Sequence, residues 1–278
     1  MELKLSVITV CYQAAAEIGR TVKSVLEQRF SDYEYIFVDG GSWDGTLETI
    51  RAYETPLKAR CRRVSITSEP DRGIYDAMNK GLQRARGTWV LMLNAGDILA
   101  DSLVLADLFE GTDYAADVLY GDAVLRDRYR GREIFRDFPA MELSEMKRGL
   151  PFCHQAAFAR RELLEKYPFE TRFSISADYD QFLRAWMDGA KFQHIPRVAA
   201  VFDCGGVCLR KPQVTMAQCD AVRKFRHFAG SPAPRFQRLR GSLRGTVKAL
   251  APGLFYSKNR LWRYRLRRDP EGRVLLGE

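Results

Sequence analysis

Residues Ser68 to Asp97 read SEPDRGIYDAMNKGLQRARGTWVLMLNAGD, and this stretch decides the fold. It runs loop, helix, strand and polar turn. Asp71 and Arg72 precede a helical segment from Ile74; Asn94, Ala95, Gly96 and Asp97 follow the apolar run Trp89 to Leu93. Upstream, Leu3 to Cys11 reads as a buried, β-branched strand and Ala14 to Gln28 as an amphipathic helix with Ile18, Val22, Val25 and Leu26 on one side. Tyr33 to Asp39 is a second strand, Gly40 to Gly45 a turn, Thr46 the cap of a helix from Leu47, and Arg63 to Thr67 a third strand. Strands alternating with helices at this spacing predict βαβ units: an α/β fold with an open, mostly parallel sheet and helices on both faces. Acid-bearing loops after successive strands of such a sheet face one crevice, where α/β folds bind their ligands.

Past Asp97 the alternation loosens. Val118 to Gly121, Ala123 to Leu125, Glu133 to Phe138 and Phe152 to Phe158 read as strands, and Arg161 to Lys166 and Asp178 to Asp188 as helices. Phe192 to Phe202 reads as a strand that Pro196 confines to a sheet edge. The 278 residues suit one α/β domain of about 200 to 230 residues plus an appendage. Charge locates the boundary. Residues 1–230 carry 32 basic and 32 acidic side chains, whereas residues 231–278 carry 12 and 3, so the whole net charge of +9 belongs to a basic C-terminal arm beginning near Gly230-Ser231-Pro232. Of the six cysteines, Cys11 falls in a strand as a reduced, buried thiol. Cys204 and Cys208 are spaced like a zinc pair but lack a matching pair at finger distance. Met1 to Lys4 lead straight into a strand, so no signal peptide is expected. No run approaches the roughly 20 apolar residues that span a bilayer, and a cytoplasmic location is expected.

Several residues suggest chemistry. Asp39 is followed by two glycines; its carboxylate either accepts an N–H from a nucleobase or makes a local turn bond. Asp71 is either a helix cap or a ligand contact. Asp97 closes a buried strand, where a carboxylate is costly unless paired or metal-bound. One carboxylate with diphosphate oxygens and waters makes an ordinary Mg²⁺ or Mn²⁺ shell. Asp178 opens a helix, as a dipole-complementing acid would. His154-Gln155 interrupts an apolar run, as a structural pair or as substrate contacts.

The segments SVITVCYQ, IFVDGGSWDGT, SEPDRGIYDAMNKG and LMLNAGD, with LPFCHQAAF, SADYDQFL and FDCGGV downstream, resemble the family 2 inverting glycosyltransferases of the GT-A fold. Within that group they look most like the bacterial colanic-acid and exopolysaccharide type. The resemblance covers roughly residues 3–230. It implies a nucleotide-sugar-binding half, residues 1–100, and an acceptor half, residues 101–230. It also implies a UDP- or GDP-sugar donor, a divalent metal (Mn²⁺ or Mg²⁺), a lipid-linked glycan acceptor and direct displacement at the anomeric carbon. Carried onto this chain, Thr9, Val10 and Tyr12 line the base pocket, Asp39 binds the base, and Asp71 and Arg72 contact the base–ribose or phosphate region. Asn94, Ala95 and Gly96 lie along the donor, and Asp97 holds the metal. Asn94 and Gly96 stand where aspartates are common, so metal affinity rests on fewer carboxylates. Asp178 stands at the general-base position, with Ala177 where a Glu often stands and Asp180 as the second choice. His154 and Gln155 fall near the donor–acceptor junction. Gly205-Gly206 suits a flap that would bring Arg210 and Lys211 onto the diphosphate.

The arm interleaves arginine and lysine with aromatic and leucine residues. Such arms lie on anionic membranes; a nucleic-acid surface and a docked helix pair are the competing readings. A neutral domain and a lipid-linked acceptor favour the inner leaflet of the membrane, with the protein peripheral on its cytoplasmic face and no nucleic-acid partner expected. The thinned acidic turn leaves a non-catalytic nucleotide- or glycan-binding subunit as the alternative function.

Overall fold

The computed structural model describes residues 2–205, 212–228, 263 and 265–277. Strand β1 (Leu5–Cys11) is followed by α1 (Ala15–Leu26), β2 (Tyr33–Asp39), α2 (Thr46–Ala52), α3 (Glu54–Lys58), β3 (Arg63–Ser68), α4 (Ile74–Leu82) and β4 (Trp89–Met92). These strands lie side by side in the order β3-β2-β1-β4, all parallel. Alternation along β1 sends Leu5 and Val7 into one apolar cluster with Ile18, Val22 and Val25 of α1. Ile8 and Val10 go into a second cluster with Met78 and Leu82 of α4. Each such fully buried side chain contributes about 1.5–3 kcal/mol, so the sheet is pinned from both faces. Because β1 sits between β2 and β4, strand order reverses there. The loops after β1 and β4 open at this switch point.

The second half comprises β5 (Ile98–Leu99), α5 (Val104–Phe109), β6 (Val118–Tyr129), β7 (Arg132–Phe138), β8 (Ala157–Arg160), α6 (Arg161–Lys166), α7 (Ala177–Met187), β9 (Phe192–Asp203) and α8 (Pro212–Phe225). It extends the same sheet as β4-β8-β6-β9-β5, with β7 paired to β6 and parallel and antiparallel ladders mixed.

Several expectations are corrected. The two short strands from Val118 are one continuous strand, β6. The strand expected over Phe152 to Phe158 begins only at Ala157, because His154 to Ala156 form a 3₁₀ turn. Strand β9 lies between β6 and β5 only at Ala200 and Val201; around Pro196 its one described ladder partner is β6. Pro196 is accommodated because β6 advances from Tyr120 to Asp122 while β9 advances from His194 to Val198. The missing N–H falls in that bulge, where no ladder bond is made. The helix after β2 starts at Thr46 rather than Leu47, with Gly45 in a left-handed conformation at its N-cap and Asp44 bracing the turn before it. The Asp44 carboxylate accepts Thr46 N–H at 3.1 Å, the Thr46 hydroxyl at 2.5 Å and Ala15 N–H at 3.0 Å.

Part of the basic arm is docked on the domain. Arg263 exchanges two backbone hydrogen bonds with Phe135, at 2.7 and 2.8 Å, and its guanidinium forks onto Asp137 at 2.8 and 2.5 Å. A two-stranded ladder of β10 (Arg267–Arg268) and β11 (Val274–Leu275) follows. Val274 is buried and donates its N–H to Asp101 at 2.8 Å, and Arg273 pairs with Asp107 at 2.8 Å. Residues 229–262, together with Gly206, Cys208, Arg210 and Lys211, lie outside the described residues. No described helix is long and apolar enough to cross a membrane. Cys11, Cys61 and Cys219 are free thiols, and burial pushes the Cys11 thiol well up.

Candidate active site

A cleft of about 740 Å³ opens at the switch point, lined from the ends of β1, β4, β6 and β9 and the starts of α4 and α7. Three groups of side chains divide it.

At one end, Val10 and Tyr12 extend β1 into the cleft, and Tyr12 meets the exposed Trp43 edge-on with ring centroids 5.7 Å apart. Asp71 closes toward Tyr12 across Gly40. A Cβ on Gly40 would lie 2.5 Å from Asp71 Oδ2 and 3.2 Å from Tyr12 Cδ2, so only glycine lets the two converge. Asp71 also accepts Gly73 N–H at 2.8 Å, so it shapes the turn before α4 while lining the cleft. Three residues expected here lie elsewhere. Thr9 points to the opposite sheet face, fully buried, and donates to the Leu93 carbonyl at 2.7 Å. Asp39 is also fully buried and does not line the cleft. Its carboxylate accepts Ser42 N–H at 3.0 Å and the Ser42 and Ser68 hydroxyls at 2.5 and 2.6 Å, tying the turn after β2 to the end of β3. Arg72 is exposed and its guanidinium rests on Asp76 at 3.0 Å, outside the cleft.

The middle group forms around Asn94 to Asp97. Gly96 adopts a φ of +100°, which turns the chain sharply. Its N–H donates to the Thr21 hydroxyl at 2.9 Å, and its carbonyl accepts from Arg126 at 3.0 Å. Asp97 is buried, and its Oδ1 accepts Asp203 N–H at 2.8 Å. Burial above all, and the nearby Asp203 charge, hold the Asp97 carboxyl well above the usual carboxylate range, against hydrogen bonds from Asp203 N–H and Gln155. Asn94 Oδ1 is buried and meets no hydrogen-bond donor among the described residues. Two members of this group were not singled out from the sequence. Arg126, 4% exposed, pairs with Asp203 and lies 3.7 Å from Glu17. Asp203 falls inside the FDCGGV segment, and Arg126 follows Val124 on an inward strand face; those were their only signals.

At the other end, Asp178 Oδ1 accepts the Tyr75 hydroxyl at 3.1 Å and Tyr179 N–H at 2.9 Å. His154 is buried edge-on against Phe169 and Phe182. Burial lowers its pKa, and the Asp178 charge partly opposes that. His154 and Gln155 line the same cleft as Asp97 and Asp178. Asp180 does not line the cleft. It is fully buried and pairs with Arg184 at 2.9 Å and Arg226 at 2.6 Å, fastening α7 to the end of α8. Gly205 lines the cleft.

The oxygen donors Asp97 and Asn94 suit a hard divalent cation. No three His, Cys, Asp or Glu side chains converge among the described residues, so such an ion would need further oxygens from a ligand or water.

Comparison with known proteins identifies the family and the fold. The profile of the family described as Glycosyl transferase family 2 matches residues 6–168. A PGL/p-HBAD biosynthesis glycosyltransferase of Mycobacterium bovis is 34% identical over 208 residues, 73% of this chain and 78% of its own. Among solved structures, S. aureus TarS in complex with UDP-GlcNAc is 18% identical, with a TM-score of 0.58 over 93% of this chain and 76% of that one. The mannosyltransferase PcManGT from Pyrobaculum calidifontis, in complex with GDP-Man and Mn²⁺, is 19% identical, with a TM-score of 0.63 over 92% of this chain and 73% of that one.

Proposed function

Since this chain belongs to glycosyl transferase family 2 and has the GT-A fold, we propose that it transfers a sugar, with inversion, from a nucleoside diphosphate to a lipid-linked glycan of a bacterial surface polysaccharide. One observation carries the mechanism: Asp97 and Asn94 share a single cleft with Asp178, His154 and Gln155. The nucleoside fits the Tyr12–Asp71 end and the acceptor the Asp178 end. Asp97 and Asn94 would hold Mn²⁺ or Mg²⁺, which when bound neutralises the charge that builds on the departing diphosphate. Asp178 takes the acceptor hydroxyl's proton as that oxygen attacks the anomeric carbon from the face opposite the diphosphate. A carboxylate can serve as the base because the hydroxyl loses its proton late in the attack. Arg126 adds positive charge beside the same acidic turn. The narrower likeness, to the colanic-acid and exopolysaccharide type, rests on LPFCHQAAF and SADYDQFL, the segments that supply His154, Gln155 and Asp178.

The test is a thermal-shift screen of UDP, UDP-GlcNAc and GDP-Man, each with and without Mn²⁺. One nucleotide class should stabilise the protein by about 2.7 kcal/mol at a hundredfold excess over its dissociation constant. No stabilisation by any of them would sink the proposal, whereas binding without turnover would favour a non-catalytic subunit. The membrane reading rests on the basic arm. Changing Arg235, Arg238, Arg240 and Arg244 to Glu should weaken binding to phosphatidylglycerol vesicles by roughly 10²-fold or more, at about 1 kcal/mol per basic residue. Unchanged vesicle binding would remove it.

A further inference from the structure

Tyr75 carries a hydroxyl within reach of two acceptors. It contacts the Ile175 carbonyl and lies 3.1 Å from Asp178 Oδ1. One O–H holds one proton, so it donates fully to only one of them at a time. Its ring stacks on Phe169 with centroids 5.5 Å apart, which leaves the O–H torsion as the free motion. The backbone that carries the Ile175 carbonyl is held by Gln218 of α8. That side chain accepts Ile175 N–H at 2.9 Å and donates to the Ser174 hydroxyl at 2.7 Å. On Asp178, Oδ1 accepts from both Tyr75 and the Tyr179 N–H, and no described residue hydrogen-bonds Oδ2. Oδ2 is therefore the oxygen left for a proton arriving from the cleft.

We propose that Tyr75 is a positioning residue with two settings: its hydroxyl donates to Asp178 while Asp178 is a carboxylate, and turns to the Ile175 carbonyl once Asp178 is protonated. The inference rests on Asp178 being the general base. In the transfer step the acceptor O–H bond breaks and its proton goes to Asp178 Oδ2. The acceptor oxygen bonds to the anomeric carbon, and the bond from that carbon to the diphosphate oxygen breaks, with its electron pair leaving on the diphosphate. Oδ1 is then the carbonyl oxygen of a neutral acid, a weaker acceptor than a carboxylate. The Tyr75 O–H bond stays intact throughout; only its direction changes. The other titratable groups facing Asp178 are His154, from the turn before β8, and Cys219 of α8. Both stay unaltered in the test.

Protein labelled with ¹³C at aspartate carboxyls would be titrated by NMR, with the Asp178 signal identified by its absence in Asp178→Asn. In Tyr75→Phe the Asp178 midpoint should rise by about 1 pH unit, the effect of losing a hydrogen bond to a charged group. Replacing Tyr75 by 3-fluorotyrosine, a stronger donor of nearly the same shape, should lower it. Superimposable wild-type and Tyr75→Phe titrations would overturn the proposal. If Tyr75→Phe does not fold, the fluorotyrosine protein decides alone, and a midpoint unchanged or raised overturns it. Turnover of UDP-GlcNAc or GDP-Man by Asp178→Asn separates the two claims. Near-normal turnover rejects Asp178 as base, whereas an inactive Asp178→Asn beside an unmoved Tyr75→Phe midpoint rejects the role of Tyr75 alone.

Discussion

Asp178→Asn should slow sugar transfer by about 10²- to 10⁴-fold, the usual contribution of a positioned general base, while nucleotide binding stays near wild type. The amide keeps the size of the carboxylate, and its oxygen can still accept the Tyr75 hydroxyl and Tyr179 N–H that now hold Oδ1. The fold is therefore preserved, and what is lost is the capacity to take a proton. Asp178 heads α7, whose body is anchored through Asp180 to Arg184 and Arg226, so the substitution leaves the helix in place. Measuring kcat alongside the nucleotide-induced rise in Tm separates the two effects. A variant that binds and turns over like wild type would show that the proton leaves by another route.

Asp97→Asn should abolish the Mn²⁺-dependent part of nucleotide stabilisation and lower turnover on the order of 10³-fold. That magnitude follows from the several kcal/mol that a cation supplies to a developing charge, at 1.36 kcal/mol per decade. The amide oxygen can still accept Asp203 N–H, so the β4 and β9 ends stay joined. Asp203 cannot readily stand in, because its carboxylate is engaged by Arg126 and by Gly205 N–H at 2.6 Å. With Asn94 and Gly96 in the same turn, Asp97 is the only carboxylate between residues 94 and 97. If Mn²⁺ still raised Tm and turnover in this variant, the metal would be held elsewhere.

The parallel half of the fold was legible because its signals are local. Tyr33–Asp39 matches its strand residue for residue, a run whose β-branched and aromatic content and flanking turn agree. Thr9 was misplaced for the complementary reason: a strand buried on both faces carries no alternation to show which side meets the crevice. Arg72 and Asp180 were misread because long or charged side chains choose among partners. Asp76 is four residues from Arg72, but Arg226 comes to Asp180 from a different helix. Arg126 and Asp203 meet only because β6 pairs with β9, a contact no local pattern announces. Asp71, Asp97 and Asp178 line one cleft because the loop after β3, the turn after β4 and the first turn of α7 meet at the same rim of the sheet.

The docking of Arg263 and Val274 makes the basic arm a bight rather than a tail. The described residues run to 228, just past α8, and resume with Arg263 on the domain, so whatever binds residues 229–262 is tied to the domain at both ends. A surface that catches a trailing tail leaves the body free to spin. One that catches a bight holds the body by two lines and limits its roll, and so governs which way the mouth of the cleft can face.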